Sequence, residues 1–288
     1  MKIAVFPKTC AIAGRPVMAA FIKSLQGEDF VICENHERPE ADIVVMWSWL
    51  LGMYGRDAIY NHYKNTKTKF LILEVGALKR NVSWKIAIGG INRDADFGNN
   101  IVDKNRLALF GLQTNEWKTK GEHIIVCGQN EKSLAWNQGD TNRWLQSIVN
   151  WIRSYTDRPI WFRPHPRFKA QISKLKTENL HISVPKKIGA IDEVDFSKAL
   201  HNAHAVVNYN SNPAIESVLS GVPVFVDKSS LCWSVGNEIG SDINRPVKPN
   251  REQWLQQISY TEWFVDEIEK GIPWQRLKQN LIVGKKNE

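Results

Sequence analysis

The chain has 288 residues, enough for one large domain or two smaller ones. Its content of 43% hydrophobic, 24% charged and 10% aromatic residues, without repeats or low-complexity tracts, excludes fibrous, solenoid and broadly disordered classes. The formal net charge of +8 either attracts polyanions or serves only solubility.

Other exclusions are local. Only five residues separate Lys2 from Lys8, too few for the apolar region of a signal peptide, and no apolar run approaches the roughly 20 residues of a membrane span. The expectation is a cytoplasmic, monomeric protein, in the host cytoplasm if viral, with no membrane partner. Cys10, Cys33, Cys127 and Cys232 form no CxxC pair, which points to buried thiols rather than a zinc or disulfide framework. The tail from Gly284 to Glu288 reads as disordered.

In chain order, KIAVF (2–6), FVIC (30–33), DIVVMWSW (42–49), KFLILEV (69–75) and KIAIGG (85–90) read as strands. Helical spacing in RPVMAAFIKSLQ (15–26) and GRDAIYNHYKNT (55–66) places helices between them. That alternation predicts a parallel sheet covered on both faces. The stretch 92–121 lacks periodicity and reads as a linker or a catalytic rim loop.

A second alternation follows, with HIIVCG (123–128) as a strand and Thr141 to Tyr155 as an amphipathic helix capped by Asp140. On that helix Trp144 and Trp151 share one face with Ile148, a core pattern rather than a stacking platform. Then come strand PIWFRP, helix FKAQISKL, strand HISV, helix DFSKALHNA, strand AVVNY, helix NPAIESVLSG and strand VPVFV. The fold class is α/β, two Rossmann-like doubly wound domains across a cleft. Expected boundaries are 1–121, 122–260 and a C-terminal segment 261–288. In that segment YTEWFVDEIEKGIPWQRL reads as two helices broken at Gly271 and Pro273, packing back on the first domain.

In doubly wound domains ligands sit at the carboxyl ends of strands. AVVNY ends there, followed by Asn210, Ser211 and Asn212 as N-cap candidates, Pro213 at a first helical position and Gly221 just past the end. Glu216 falls one turn in, placed either to accept hydrogen bonds from ribose hydroxyls or only to complement the helix dipole. A phosphate would rest on the N–H groups of Ser211 to Ala214. FRPHPR (162–167) sets Arg163, His165 and Arg167 at alternating positions, where Arg163 and His165 suit a diphosphate or form a generic basic loop. VCGQN adds a turn at Gly128.

The ordered set CGQN, RPHPR and NSNPAIESVLSGVPV resembles the C-terminal domain of GT-B glycosyltransferases, particularly capsule-type Kdo transferases and related bacteriophage DNA-modifying enzymes. The likeness covers about 120–230 well and the N-terminal half loosely. It implies donor contacts from His165 with Arg163, from Ser211 and Asn212, and from Glu216 to the ribose, with Gly221 and Pro223 packing behind. The co-substrate it implies is a nucleotide sugar of unknown identity, without a further cofactor.

The loop LEVGALKRN (73–81) looks like the acidic loop of those relatives. Glu74 is then a general-base candidate or a structural residue, with Val75 where a second acid is expected. Asp94 and Asp96 are rivals, on the expectation that the loop after the fifth strand also faces the cleft. Lys8, Arg15, Lys79 and Arg80 either bind an anionic acceptor or are solvated. No acidic pair stands at a strand end, so no metal is expected. The favoured acceptor is 5-hydroxymethylpyrimidine in duplex DNA, from the charge and the phage-like resemblance, a base that must be flipped from the stack. The alternatives are a bacterial surface polysaccharide, a non-catalytic nucleotide-sugar or DNA-binding protein, or an epimerase of the same fold.

Overall fold

The structure is a computed structural model in which residues 1–98, 103, 105–167, 177–188 and 194–284 are described. The expected helix FKAQISKL lies outside the described residues. The chain divides into two compact units, Met1–Phe110 with Gln256–Glu288, and Gly111–Leu255.

The first unit contains β1 (Lys2–Val5), α1 (Arg15–Ser24), β2 (Asp29–Ile32), β3 (Ile43–Trp47), α2 (Arg56–Tyr63), β4 (Lys69–Val75), β5 (Ser83–Ile88) and α3 (Asn105–Phe110). The second contains β6 (His123–Cys127), α4 (Thr141–Arg153), β7 (Ile160–Arg163), β8 (Leu180–Ile182), α5 (Phe196–Ala199), β9 (Ala203–Asn208), α6 (Pro213–Leu219), β10 (Val224–Val226) and β11 (Asn237–Glu238). Helix α7 (Glu252–Ile258) leads back to the first unit, which ends with β12 (Glu262–Phe264), α8 (Val265–Glu269) and α9 (Ile272–Gly284).

The first sheet has the order β12-β5-β4-β3-β1-β2. Strands β1 to β4 pair in parallel, whereas β5 runs antiparallel to β4 and β12 antiparallel to β5. The all-parallel expectation therefore fails at β5. Only residues 76–82 connect β4 to β5, too few for the crossover of a dozen or more that a parallel partner needs. The strand EWF within the expected C-terminal helix is a second correction: Glu262, Trp263 and Phe264 extend the sheet edge before the helices begin.

Alternation builds two cores. Ile3, Val5, Val45, Trp47, Leu71 and Leu73 face α1, and Ala4, Phe6, Val44, Met46 and Ile72 face the other side with Ile59 of α2. Trp263, Trp274, Leu277 and Leu281 of the C-terminal segment complete the first of these. Trp263 and Trp274 are fully buried, and burying a side chain of that size stabilises by about 4 kcal/mol or more on area grounds. Trp274 Nε1 and Lys278 Nζ also donate to Glu28 Oε1 at 3.0 and 2.6 Å.

The second sheet is wholly parallel in the order β11-β10-β9-β6-β7-β8. Relative to its own first strand this is the doubly wound order 3-2-1-4-5-6, with the direction of winding reversing between β6 and β9. Asp140 caps α4 by accepting the Arg143 N–H at 2.9 Å, and Trp144, Leu145, Ile148 and Ile152 bury the apolar face. Asn115 N–H and Lys118 N–H donate to the Leu219 and Gly221 carbonyls, so residues 115–118 run along the end of α6. These bonds tie the stretch before residue 122 to the second unit, whose join falls at Gly111.

Candidate functional site

At the reversal point of the second sheet, Arg163 of β7, Cys127 of β6 and Asn208 of β9 stand in register on three adjacent strands. Crevices of this kind, at the carboxyl ends of strands where the order reverses, are where doubly wound sheets bind ligands. Every sequence motif of this half ends here.

Gly128 continues β6 beyond Cys127, donating its N–H to the Arg163 carbonyl at 2.8 Å. A Cβ there would lie 3.0 Å from the Phe162 ring and 3.4 Å from the His165 nitrogen, so glycine lets the 163–165 loop close on β6. His165 is half-buried, and its Nδ1 accepts the Arg167 N–H at 3.1 Å. That bond makes the neutral ring the Nε2–H tautomer, a hydrogen-bond donor at its outer nitrogen.

Arg163 is only 5% exposed. Its guanidinium donates to Ser183 Oγ at 3.0 Å and to Asp195 Oδ1 at 2.8 Å. Asp195 also accepts the Lys186 N–H at 3.0 Å. Burial acts to raise the Asp195 carboxyl, but the Arg163 hydrogen bond, the Lys186 amide and the Arg163 charge outweigh it and hold it below the usual range. The sequence reading leaves Arg163 either on a diphosphate or in a generic basic loop; in the structure its guanidinium anchors the end of β7 to Ser183 and Asp195. Neither Ser183 nor Asp195 carried a motif that announced this.

Cys127 reports the electrostatics. Burial pushes its thiol up to about 12, with the Arg163 charge lowering it and the Glu216 charge raising it. Glu216, half-buried on α6, and Arg163 thus act on Cys127 with opposite sign.

The turn before α6 departs from the expected phosphate cradle. Asn208, fully buried, accepts the Ser211 N–H at 2.8 Å and donates to Ser211 Oγ at 2.7 Å. Ala214 N–H goes to the Ser211 carbonyl, and Pro213 has no N–H. Asn212 sits at the N-cap position in helical conformation without a side-chain capping bond. Most donors of that turn are thus consumed internally, because the preceding strand supplies its own capping side chain.

Asn210 is likewise a hub rather than an open group. It accepts from Gln129 Nε2 at 2.8 Å and donates to the Ala135 carbonyl and Ser229 Oγ at 2.8 and 2.9 Å. Since Ala135 fixes which end of the Asn210 amide donates, Gln129 must present its NH2 to Asn210. Gln129 Oε1 is left buried without a hydrogen-bond partner among the described residues. Within the CGQN motif nothing local distinguishes Gln129 from an ordinary turn residue.

Behind the site, Gly221 ends α6 at φ +76°, and a Cβ there would strike the Glu116 carbonyl. Arg251 donates to the Val218 and Asn115 carbonyls, both at 2.7 Å, and lies 4.0 Å from the Trp117 ring.

In the first unit, Glu74 lies near the carboxyl end of β4. Its Oε2 accepts from Ser48 Oγ at 2.7 Å and Trp49 N–H at 3.3 Å, and Oε1 accepts the Val75 N–H at 2.8 Å. Ser48 holds φ +67°, a strained turn that Glu74 supports. Glu262 of β12, fully buried, holds the loop after β4: it accepts from Ala77 N–H at 2.6 Å, Leu78 N–H at 3.1 Å and Ser83 Oγ at 2.6 Å. Gly76 is needed because a Cβ would overlap the Glu262 carboxylate. Lys85, 2% exposed, is paired in register with both Glu74 and Glu262, so three charged residues cross one sheet face.

Asp94 and Asp96 are not rivals at this edge. Because β5 runs antiparallel, the chain leaves it at the amino end of β4, where Gly89 N–H bonds the Phe70 carbonyl. Asp94 is exposed there, and Asp96 accepts from Gly98 N–H and Asn280 Nδ2 at 2.8 and 2.9 Å. Lys8 forms an exposed ion pair with Glu34 at 2.6 Å, and Arg15 is exposed at the start of α1. Lys79 and Arg80 are half-buried in the loop after β4, with Lys79 Nζ 5.9 Å from the Phe264 ring centroid. All four cysteines are buried and unpaired as disulfides. Among the described residues there is no cluster of three or more metal-ligating side chains, and no helix is long and apolar enough to cross a membrane.

No protein-family model and no curated protein matches the chain. Among solved structures it is similar to the β-Kdo 2,4-transferase of Thermosulfurimonas dismutans KpsC, at 12% identity and a TM-score of 0.52, covering 95% of this chain and 98% of the other. The β-Kdo 2,7-transferase of the same protein is similar at 12% identity and a TM-score of 0.50, covering 96% and 100%. With the two parallel-dominated six-stranded sheets, this likeness shows a GT-B fold of two Rossmann-like domains.

Proposed function

We propose that the protein is a glycosyltransferase that moves a sugar from a nucleotide donor to a hydroxyl acceptor. The observation that carries the reading is the gathering of the Gly128 turn, the His165 loop and Glu216 around the end of β6, where the strand order reverses. The fold likeness to two sugar transferases supports it.

In this reading Glu216 accepts hydrogen bonds from the donor ribose. His165 Nε2–H donates to the donor phosphate, and Arg163, held by Asp195, supplies fixed positive charge behind it. As the anomeric carbon–oxygen bond breaks, negative charge grows on the leaving phosphate, and donors already oriented toward it stabilise the transition state more than the ground state. Gln129 Oε1, the orphaned acceptor beside Asn210, takes a donor group from the bound nucleotide. Glu74 is the general-base candidate that takes the acceptor hydroxyl proton. Lys8, Arg15, Lys79 and Arg80 attract the acceptor.

The proposed acceptor is a hydroxymethylpyrimidine of duplex DNA, supported by the charge of +8. The likeness to Kdo transferases favours an acidic surface polysaccharide as the second reading. The test is a panel of nucleotide sugars offered with hydroxymethylated DNA, ordinary DNA and an acidic polysaccharide fragment, read by mass spectrometry. Transfer confined to hydroxymethylated DNA is expected. Transfer to the polysaccharide alone selects the second reading, and a failure of every donor to bind overturns the glycosyltransferase reading itself.

A further inference from the structure

Past the carboxyl ends of β6, β9 and β10, side chains of the second unit form a hydrogen-bonded chain whose direction is fixed at every link. Asp227 Oδ1 accepts the Ser229 hydroxyl at 2.6 Å and the Ser229 N–H at 2.9 Å. A hydroxyl has one proton, so the Ser229 oxygen can only accept from Asn210 Nδ2, at 2.9 Å. The Ala135 carbonyl, 2.8 Å from the same nitrogen, makes the same demand. The Asn210 oxygen therefore turns to Gln129, which must meet it with its NH2, at 2.8 Å. A flip of Gln129 would set two carbonyl oxygens against each other.

The chain ends on an acceptor. Gln129 is 5% exposed, and its Oε1 is buried without a hydrogen-bond partner among the described residues. Native proteins seldom leave such an oxygen unsatisfied, and each amide that donates toward the Asp227 carboxylate becomes a stronger acceptor at its own oxygen.

Its place in the chain is next to the proposed phosphate loop. Gln129 follows Gly128, whose N–H bonds the Arg163 carbonyl at 2.8 Å and whose added Cβ would lie 3.4 Å from the His165 nitrogen. Glu216, on the ribose in the proposed function, comes from a different element, α6. In a nucleotide sugar, the group beyond the phosphate on the side away from the ribose is the sugar to be transferred. Neighbouring donors already have protein acceptors: the Arg163 guanidinium on Ser183 and Asp195, and the Ser211 N–H and the Asn208 amide on each other. These groups turn their donors inward while Gln129 presents a lone pair, which suits a hydroxyl and repels a carboxylate.

We propose that Gln129 is a specificity-determining residue for the transferred sugar, with Oε1 accepting a sugar hydroxyl, and that this sugar is neutral rather than a sugar acid. The inference rests on the glycosyltransferase reading and narrows its donor.

The test is calorimetric titration of the full chain, wild type and Gln129→Leu, with UDP-glucose against UDP-glucuronate, GDP-mannose against GDP-mannuronate, CMP-N-acetylneuraminate against CMP, and UDP and GDP alone. In the pair that carries the protein's nucleotide, the neutral donor is expected to bind at least about tenfold tighter than the acid one, because only the acid sets a carboxylate against a buried oxygen. CMP-N-acetylneuraminate should bind no tighter than CMP. Gln129→Leu, similar in size, should weaken the neutral donor about tenfold and the bare nucleotide clearly less. The wild-type comparison decides the charge preference even if the variant folds poorly. An acid donor that binds as tightly as its neutral partner, or CMP-N-acetylneuraminate binding tighter than CMP, overturns the neutral-sugar assignment and leaves the glycosyltransferase reading in place. In a variant with an unchanged melting curve, equal weakening of neutral donor and bare nucleotide, or no weakening, overturns the sugar contact and gives Oε1 to the nucleotide or to a buried water. Failure of every nucleotide and nucleotide sugar to bind the wild type overturns the glycosyltransferase reading itself, and this inference with it.

Discussion

Arg163 and Asp195 form an ion pair 2.8 Å long in which the arginine is almost wholly buried, and it joins the loop after β7 to the residues before α5. Removing one partner of such a pair strands the other charge, a loss of about 3 kcal/mol. Asp195→Ala should lower the urea midpoint of unfolding accordingly. The folded-state pKa of Asp195 is depressed, so its contribution is present above its unfolded value and lost as pH falls through the folded one. Wild-type stability should therefore fall on acidification below about pH 4, and Asp195→Asn should remove that part of the decline. An unchanged acid profile in the variant would refute the pairing.

Glu216→Ala should weaken the nucleotide donor while leaving the acceptor untouched. A hydrogen bond to a charged group is worth about 1.5 to 3 kcal/mol, which corresponds to a ten- to hundredfold drop in donor affinity by calorimetry. Glu216 is only half-buried on a short helix, so the melting temperature should change little. Equal loss of donor affinity and stability would make it a structural residue.

Glu262→Ala leaves the Ala77 and Leu78 N–H groups without their acceptor, while the Ser83 hydroxyl can turn to the Lys79 carbonyl at 3.2 Å. Each buried unsatisfied donor costs about 1 to 3 kcal/mol, so chemical denaturation should register a loss of several kcal/mol. Gly76→Ala should act in the same direction, because its methyl group occupies the place of the same carboxylate. Combined, the two should be less than additive, since both release one contact.

Cys127, with its thiol raised to about 12 by burial, stays protonated and inaccessible in the folded protein. Alkylation by iodoacetamide at about pH 8 should leave it unmodified in native protein and modify it on unfolding in urea. Peptide mass spectrometry decides this, and native labelling at Cys127 would show that the end of β6 is open to solvent.

Periodicity and punctuation made most of the second unit legible. Asp140 before an amphipathic run, Pro213 and Gly221 bracketing a seven-residue helix, and short β-rich runs between them are local preferences that tertiary packing did not override. The convergence of CGQN, RPHPR and NSNPAIE on one sheet edge was also readable, since each motif ends a strand of a doubly wound sheet.

What the sequence by itself determined is the α/β alternation, the strand ends that carry the motifs and the residue types placed there, because these follow from contacts between near neighbours in the chain. Only the tertiary structure decided who occupies whom. Asp195 takes Arg163 across 32 positions, Glu262 accepts from the 77–78 amides across about 185, and the antiparallel turn at β5 carries Asp94 and Asp96 to the far edge from Glu74. A buried charge takes the partner that geometry brings to it, and the partner's distance along the chain leaves no trace in local composition.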